Sequence, residues 1–354
     1  METNSNYISR LTIKNFKSIK NLEIEPARIN IFIGKPNVGK SNILEAMSLF
    51  SANYGIGGNA LFKDYIRFSK TEDLFYDNEI LNDIIVSFDD LYTQFAFSKD
   101  EDGFYLYSDY KDDFFNNINK YRNSIDLYNT INNGGLTPNK RMIAFDKLGD
   151  YSRYTAHSEF KLRYYKYIDV KEYSYREHRF LLPPFGENLY TMIQHNKEIH
   201  KYINTILSEY NLKFVLKKSE SKFEIQKNID DVIYSFPYSS IADTLKRFIF
   251  YYTAIKTNDN SVILFEEPEN FSYPGYIKEI AHEIIESESN QFFLTTHSPF
   301  ILNTILDDAP ADQVKIFLMD YKDYQTTCRE LTEEELASYY EYGSDLLLHL
   351  PFKS

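Results

Sequence analysis

Residues 29–50 read INIFIGKPNVGKSNILEAMSLF. The first six, INIFIG, are almost continuously apolar, the composition of a strand covered on both faces. They run straight into GKPNVGKS (34–41), which matches G-x-x-x-x-G-K-[ST] at every fixed position. Behind the loop, Ile43, Leu44, Met47 and Phe50 recur at helical spacing. Strand, glycine loop and helix in this order make a phosphate cradle. Gly34 and Gly39 let the backbone fold back, so that Lys35, Pro36, Asn37 and Val38 wrap the phosphates at a helix N-terminus. Lys40 is placed to reach the β and γ phosphates of ATP, Ser41 to ligate Mg²⁺, and Asn42 to follow in the first helical turn.

Upstream, LTIKNF (11–16) and NLEIE (21–25) alternate with period two and predict a hairpin. Asn15 and Lys17, at its turn, are counted with the nucleotide contacts. A P-loop strand needs a neighbour that brings a carboxylate towards the metal, and VILFEEPEN (262–270) supplies one. VILF reads as a buried parallel strand, expected beside INIFIG. Glu266 at its carboxyl end is assigned to the Mg²⁺ shell, and Glu267 to the attacking water. Adjacent carboxylates repel, so without nucleotide one of the two is expected to have a raised pKa. GYIKEIAHEIIES (275–287) predicts a helix, and QFFLTTHSP (291–299) another buried strand ended by His297, a candidate for the γ-phosphate or the water. The catalytic set is therefore Glu267, His297 and Lys40.

The 354 residues carry 39 basic and 52 acidic side chains, a formal charge of −13, which argues against broad wrapping around nucleic acid. Apolar residues make up 43% of the chain, with 31 Tyr and 28 Phe, so it is globular. A single cysteine, Cys328, excludes an internal disulfide and suits a reducing compartment. No apolar run suggests a signal peptide or a membrane span, so a cytoplasmic location without membrane partners is expected.

Taken together, GKPNVGKS, EEPEN and TTHSP (295–299) resemble the ABC-type head ATPases of the RecF, SMC and OLD group, in particular small stand-alone bacterial AAA-type members of defence and repair loci. The resemblance covers residues 1–50 and 180–345 well, including LTIKNFKSIKNLEIE and LLPPFGENLYTMI (181–193). It implies an α/β P-loop fold, an ABC-ATPase-like head with a mixed parallel sheet, N-terminal antiparallel strands and an inserted α/β segment. The head would comprise 1–50 and 181–354, around an insertion at 51–180. It further implies a homodimer closed on two ATP molecules, each site completed by a partner's signature helix. The matching segment is SSIADTLKRFIFYYTAI (239–255), with Ser240 as N-cap and Asp243 three residues on as a capping box; the signature's usual glycine is absent. Gln94 is the candidate for the glutamine loop.

Within the insertion, 83–109 predicts three antiparallel strands, 53–62 a glycine-containing loop and 111–136 a helix. KLRYYKYIDVKEYSYREHRF (161–180) interleaves basic residues with tyrosines, which reads either as a nucleic-acid strip or as a solvated face over aromatic packing. The expected function is an ATPase switch acting on a separately encoded effector, in anti-phage defence by family analogy. Two alternatives stay open: a RecF-like DNA-binding repair ATPase, and a slow-turnover ATP-binding scaffold.

Overall fold

The computed structural model describes residues 7–51, 62–99, 102–111, 113–114, 141–148, 151–156, 160–174 and 178–342. All but the last residue of the predicted loop at 53–62 and most of the predicted helix at 111–136 lie outside them. Strands β1 (Leu11–Phe16) and β2 (Ile19–Ile24) form the expected hairpin. β3 (Ile29–Gly34) leads into helix α1 (Lys40–Ser48). The three strands expected over 83–109 are β4 (Ile84–Phe88), β5 (Leu91–Ser98) and β6 (Gly103–Tyr110). With β7 (Arg141–Phe145) and β8 (Tyr151–Ala156) they extend the hairpin into one antiparallel sheet ordered β2-β1-β4-β5-β6-β7-β8.

β9 (Leu162–Tyr165) then joins a second sheet. Helices α2 (Leu189–His195) and α3 (Lys197–Ser208) lead to a three-stranded antiparallel sheet, β10 (Lys213–Lys217), β11 (Lys222–Ile229) and β12 (Val232–Pro237). The signature-like helix α4 (Asp243–Thr257) precedes β13 (Val262–Glu266), α5 (Pro274–Glu286) and β14 (Gln291–Thr295). α6 (Pro299–Asp308), the hairpin β15 (Val314–Lys322) and β16 (Gln325–Glu330), and α7 (Glu333–Tyr342) complete the described chain. Among the described residues no helix is long and apolar enough to cross a membrane.

The central sheet is ordered β16-β15-β3-β14-β13-β9, parallel except for the last hairpin. This corrects one expectation: β13 does not neighbour the P-loop strand, because β14 lies between them. The α5 crossover returns the chain to the free edge of β13 that faces β3, and Phe292–Thr295 pairs with Ile29–Phe32. His297, rather than the paired acids, therefore follows the strand next to the loop. Both faces of this sheet are buried, which explains the unbroken apolar runs. Ile29, Ile31, Ile33, Ile263, Phe265, Phe292 and Leu294 face the helices, while Phe32, Leu264 and Phe293 face α1 and the antiparallel sheet.

Two further readings change. Helix α4 starts at Asp243 with Ala242 as its N-cap and no side-chain cap. Ser240 instead closes a 3-10 turn, its Oγ donating to the Pro237 carbonyl, because the chain stays extended through Ile241 before the helix begins. Gln94 is not in a loop. It is buried inside β5, with its Nε2 donating to Asp83.

Candidate functional site

The carboxyl ends of β3, β14 and β13 lie along one edge of the sheet, in register through Phe32, Thr295 and Glu266. The loop after β3 depends on its two glycines. Gly34 has φ +152° and a Cβ there would sit 2.4 Å from the Met319 carbonyl; Gly39 has φ +93° and a Cβ would sit 2.2 Å from Thr326 Oγ1. Lys35, Pro36 and Asn37 form the exposed crest of the loop, and Val38 tucks beneath it. Thr326 on β16 donates to the Val38 carbonyl at 2.9 Å and shares a 2.6 Å hydrogen bond with Ser18 Oγ, which also accepts from Asn42 Nδ2 at 2.7 Å. The loop is thus braced from the turn of the first hairpin and from the last hairpin.

Lys40 is buried and its Nζ donates to the Gly34 and Lys35 carbonyls at 3.0 and 2.9 Å. Burial lowers its pKa, opposed by the charges of Glu267 and Glu269. The two adjacent glutamates point to different partners. Glu266 accepts from Tyr164 OH at 2.6 Å, from Arg67 Nη2 at 2.8 Å, and from Ser41. Burial alone would raise its pKa, but those hydrogen bonds and the Arg67 and Lys166 charges hold it below the usual value. Glu267 adopts φ +43°, and its N–H donates to Thr295 O at 3.0 Å. Its Oε1 lies 3.5 Å from His297 Nε2 and its Oε2 accepts from Asn270 Nδ2 at 2.8 Å. Burial and Lys40 depress the His297 pKa against the opposing Glu267, so the ring is neutral at pH 7 and this contact is not an ion pair.

The expectation of a raised pKa within the pair needs correcting for Glu266. The acid that burial does raise is Glu269, two residues on, which accepts from Thr296 Oγ1 and from the His297 N–H, each at 2.7 Å. Sequence reasoning missed it, although it stands in the same EEPEN string. It also missed the charge network around Glu266. Glu45 on α1, fully buried, pairs with Lys17 and with Arg67 Nε at 2.7 Å. No local pattern joins residues 17, 45, 67, 164 and 266, so only the fold could show this network.

Asn15 and Lys17 have structural partners here: Asn15 Nδ2 donates to the Asp83 carbonyl at 3.0 Å, and Lys17 Nζ to Glu45 and to the Arg67 carbonyl. Ser240 and Asp243 stand at the exposed head of α4, where Asp243 binds Arg247 Nε at 2.7 Å and Tyr167 OH at 3.2 Å. Their partners include no residue of the loop 34–42 in the same chain. The strip 161–180 is not a base-stacking surface at its start, since Arg163, Tyr164 and Tyr165 are buried in β9. The Arg163 guanidinium lies 3.4 Å from the Phe180 ring centre.

Residues 29–303 match the family described as "AAA domain, putative AbiEii toxin, Type IV TA system". The chain belongs to this family. It is a P-loop ATPase of the AAA type, as the motifs imply. An ATP/GTP phosphatase from Helicobacter pylori is 22% identical, with 96% of this chain and 99% of that protein covered. An uncharacterized protein from Methanocaldococcus jannaschii is 27% identical over 173 residues, covering 36% of this chain; the match spans about half of that relative, 52%. Similar solved structures include the head of an Smc protein bound to the C-winged helix domain of ScpA, 14% identical, covering 94% of this chain and 99% of that one at a TM-score of 0.47. The SMC head domain from Thermotoga maritima is 11% identical, covering 92% and 99% at a TM-score of 0.41.

Proposed function

We propose that this ATPase hydrolyses ATP as a dimeric switch, with Glu267 and His297 directing water at the γ-phosphate held by Lys40 and the loop 34–42. The observation that carries the reading is the division of labour at the strand end. Glu266 is turned towards Ser41 and Glu267 towards His297, which supports separate roles for the two acids, one at the metal and one at the water. Ser41 and Glu266 touch, and an oxygen-only pair suits a hard divalent cation, so these two residues would hold Mg²⁺. When bound, that ion would neutralise charge building on the phosphate oxygens. Glu267 would accept a proton from water, and the neutral His297 ring orients either the water or a phosphate oxygen. Catalysis is then mostly positioning and charge stabilisation.

Dimerisation through two ATP molecules follows from family analogy, and Ser239 and Ser240 ahead of α4 are exposed, where a partner's phosphate would meet them. Without a glycine there, turnover is expected to be slow. The output passes to a separately encoded effector, and the anti-phage role follows from family analogy. In this reading residues 1–50 and 181–354 form the head, and the 51–180 segment lends β9 to its sheet. The test compares wild type with Lys40→Ala and Glu267→Gln for ATP binding, hydrolysis and mass in solution. Lys40→Ala should lose nucleotide, whereas Glu267→Gln should bind ATP and remain dimeric without turnover. Unchanged hydrolysis in both variants would refute the assignment.

A further inference from the structure

The turn after β13 is built around Glu269. Its two hydrogen bonds to the segment after β14 both use Oε1, which receives the Thr296 hydroxyl and the His297 backbone N–H. The Thr296 hydroxyl in turn accepts the Ser298 N–H at 2.9 Å, so three consecutive residues of the switch segment hang on one carboxyl oxygen. The other oxygen, Oε2, is buried with no hydrogen-bond partner. A buried polar atom left unpaired is costly and uncommon, and burial raises the pKa of this group accordingly. An acid at such a cost implies a task for the oxygen that is paired. The segment it serves carries His297, whose Nε2 lies 3.5 Å from Glu267 Oε1. Glu267 itself leaves β13 in a left-handed conformation, fixed by hydrogen bonds from its N–H to Thr295 O and, at 3.2 Å, to Thr295 Oγ1. Two clasps therefore join the same two segments: Glu267 N–H to Thr295, and His297 N–H to Glu269.

We propose that Glu269 is the positioning residue for His297, holding the switch segment against the turn that carries Glu267 and so setting the distance between the histidine ring and the water-directing acid. The proposal rests on the reading of Glu267 and His297 given above. It concerns no contact with nucleotide; Glu269 acts through the backbone of residues 296–298.

The test is a double-mutant cycle on Glu269→Ala and His297→Ala, with Glu269→Gln as the conservative variant, reading kcat, ATP affinity and thermal unfolding. Glu269→Ala should lower kcat by about tenfold or more while ATP affinity stays within about threefold. Glu269→Gln keeps an acceptor oxygen for both donors and should retain kcat within about threefold. The double variant should be no slower than His297→Ala alone, because the two act as a unit. Multiplicative losses in the double variant, or a Glu269→Gln variant that folds yet is as slow as Glu269→Ala, would overturn the proposal. Should Glu269→Ala fail to fold, Thr296→Val removes one donor and leaves the acid in place. It should give a smaller loss of kcat at unchanged ATP affinity, and full activity would count against the clasp. If His297→Ala and Glu267→Gln are slow but Glu269→Ala is not, only this inference fails. If His297→Ala is fully active, the reading beneath it fails as well.

Discussion

Replacing Lys17 by Met tests the buried charge network beneath the site. The Glu45 side chain is completely buried on α1, and its partners are Lys17, 14% exposed, and Arg67, 62% exposed. Methionine keeps the length and packing of Lys17 while deleting its charge. Glu45 is then left with one partner, whose guanidinium is largely screened by solvent. Breaking a buried ion pair from one side typically costs about 3–5 kcal/mol, and the remaining Arg67 contact places this case near about 3 kcal/mol. For a chain of 354 residues, an unfolding entropy of about 2.1 cal/mol/K per residue gives about 0.7 kcal/mol/K, so the midpoint should fall by about 4 °C. Urea and thermal unfolding followed by circular dichroism would measure it. The double change Lys17→Met/Glu45→Met removes both charges from the interior and should recover most of the loss, since Arg67 retains Glu266 and access to water. A single variant costing under about 1 kcal/mol, the value of an exposed pair, would refute the reasoning. So would a double variant less stable than the single one.

Three other outcomes follow from the same geometry. Glu335 is held at about 2 by Arg329, which contacts both its oxygens, and by the capping box with Thr332. Its folded pKa lies below the unfolded one, so its stabilisation is complete above about 4.5 and lost as pH falls towards about 2; the urea midpoint of Glu335→Gln should be flatter over that window. Gly39→Ala should cost about 1–3 kcal/mol from its positive φ and weaken ATP binding. Adding Thr326→Ala should relieve only the contact at 2.2 Å, and a fully restored affinity would contradict the backbone part of this account. His297 should titrate below 6.5 by NMR, with hydrolysis flat above neutral pH and falling as the ring charges. A titration above 6.5 would show that Glu267 outweighs burial and Lys40.

The parts of the site that were legible beforehand are those encoded by short, contiguous strings. GKPNVGKS fixes its own turn through Gly34 and Gly39, and the helical spacing behind it reflects burial of Ile43, Leu44 and Met47. What stayed hidden depends on strand order and on residues far apart in sequence. No local rule places β14 between β3 and β13, and none lets Arg67 find both Glu45 and Glu266. The two readings of 161–180 could not be separated by sequence for a related reason. Alternation of basic and aromatic residues looks like a surface strip, but the edge strand β9 of a two-sided sheet buries Arg163, Tyr164 and Tyr165 together, and Arg163 donates to Asn258. Ser240 failed as a cap because the choice between N-cap positions two residues apart depends on where the preceding turn releases the chain.

The bracing of the phosphate loop has a consequence for how the molecule is made. Ser18 and Thr326, which meet at 2.6 Å beneath Gly39, stand 308 residues apart in sequence. During synthesis the loop is made well before the strand that fills the space below it. The nascent chain therefore carries an unsupported loop until that strand follows, and nucleotide capture should wait for it. Such a distant closure belongs with slow folding, because the entropy of joining remote segments must be overcome before their contacts contribute. ATP added during refolding should consequently stabilise only the final species and leave earlier, collapsed ones unaffected.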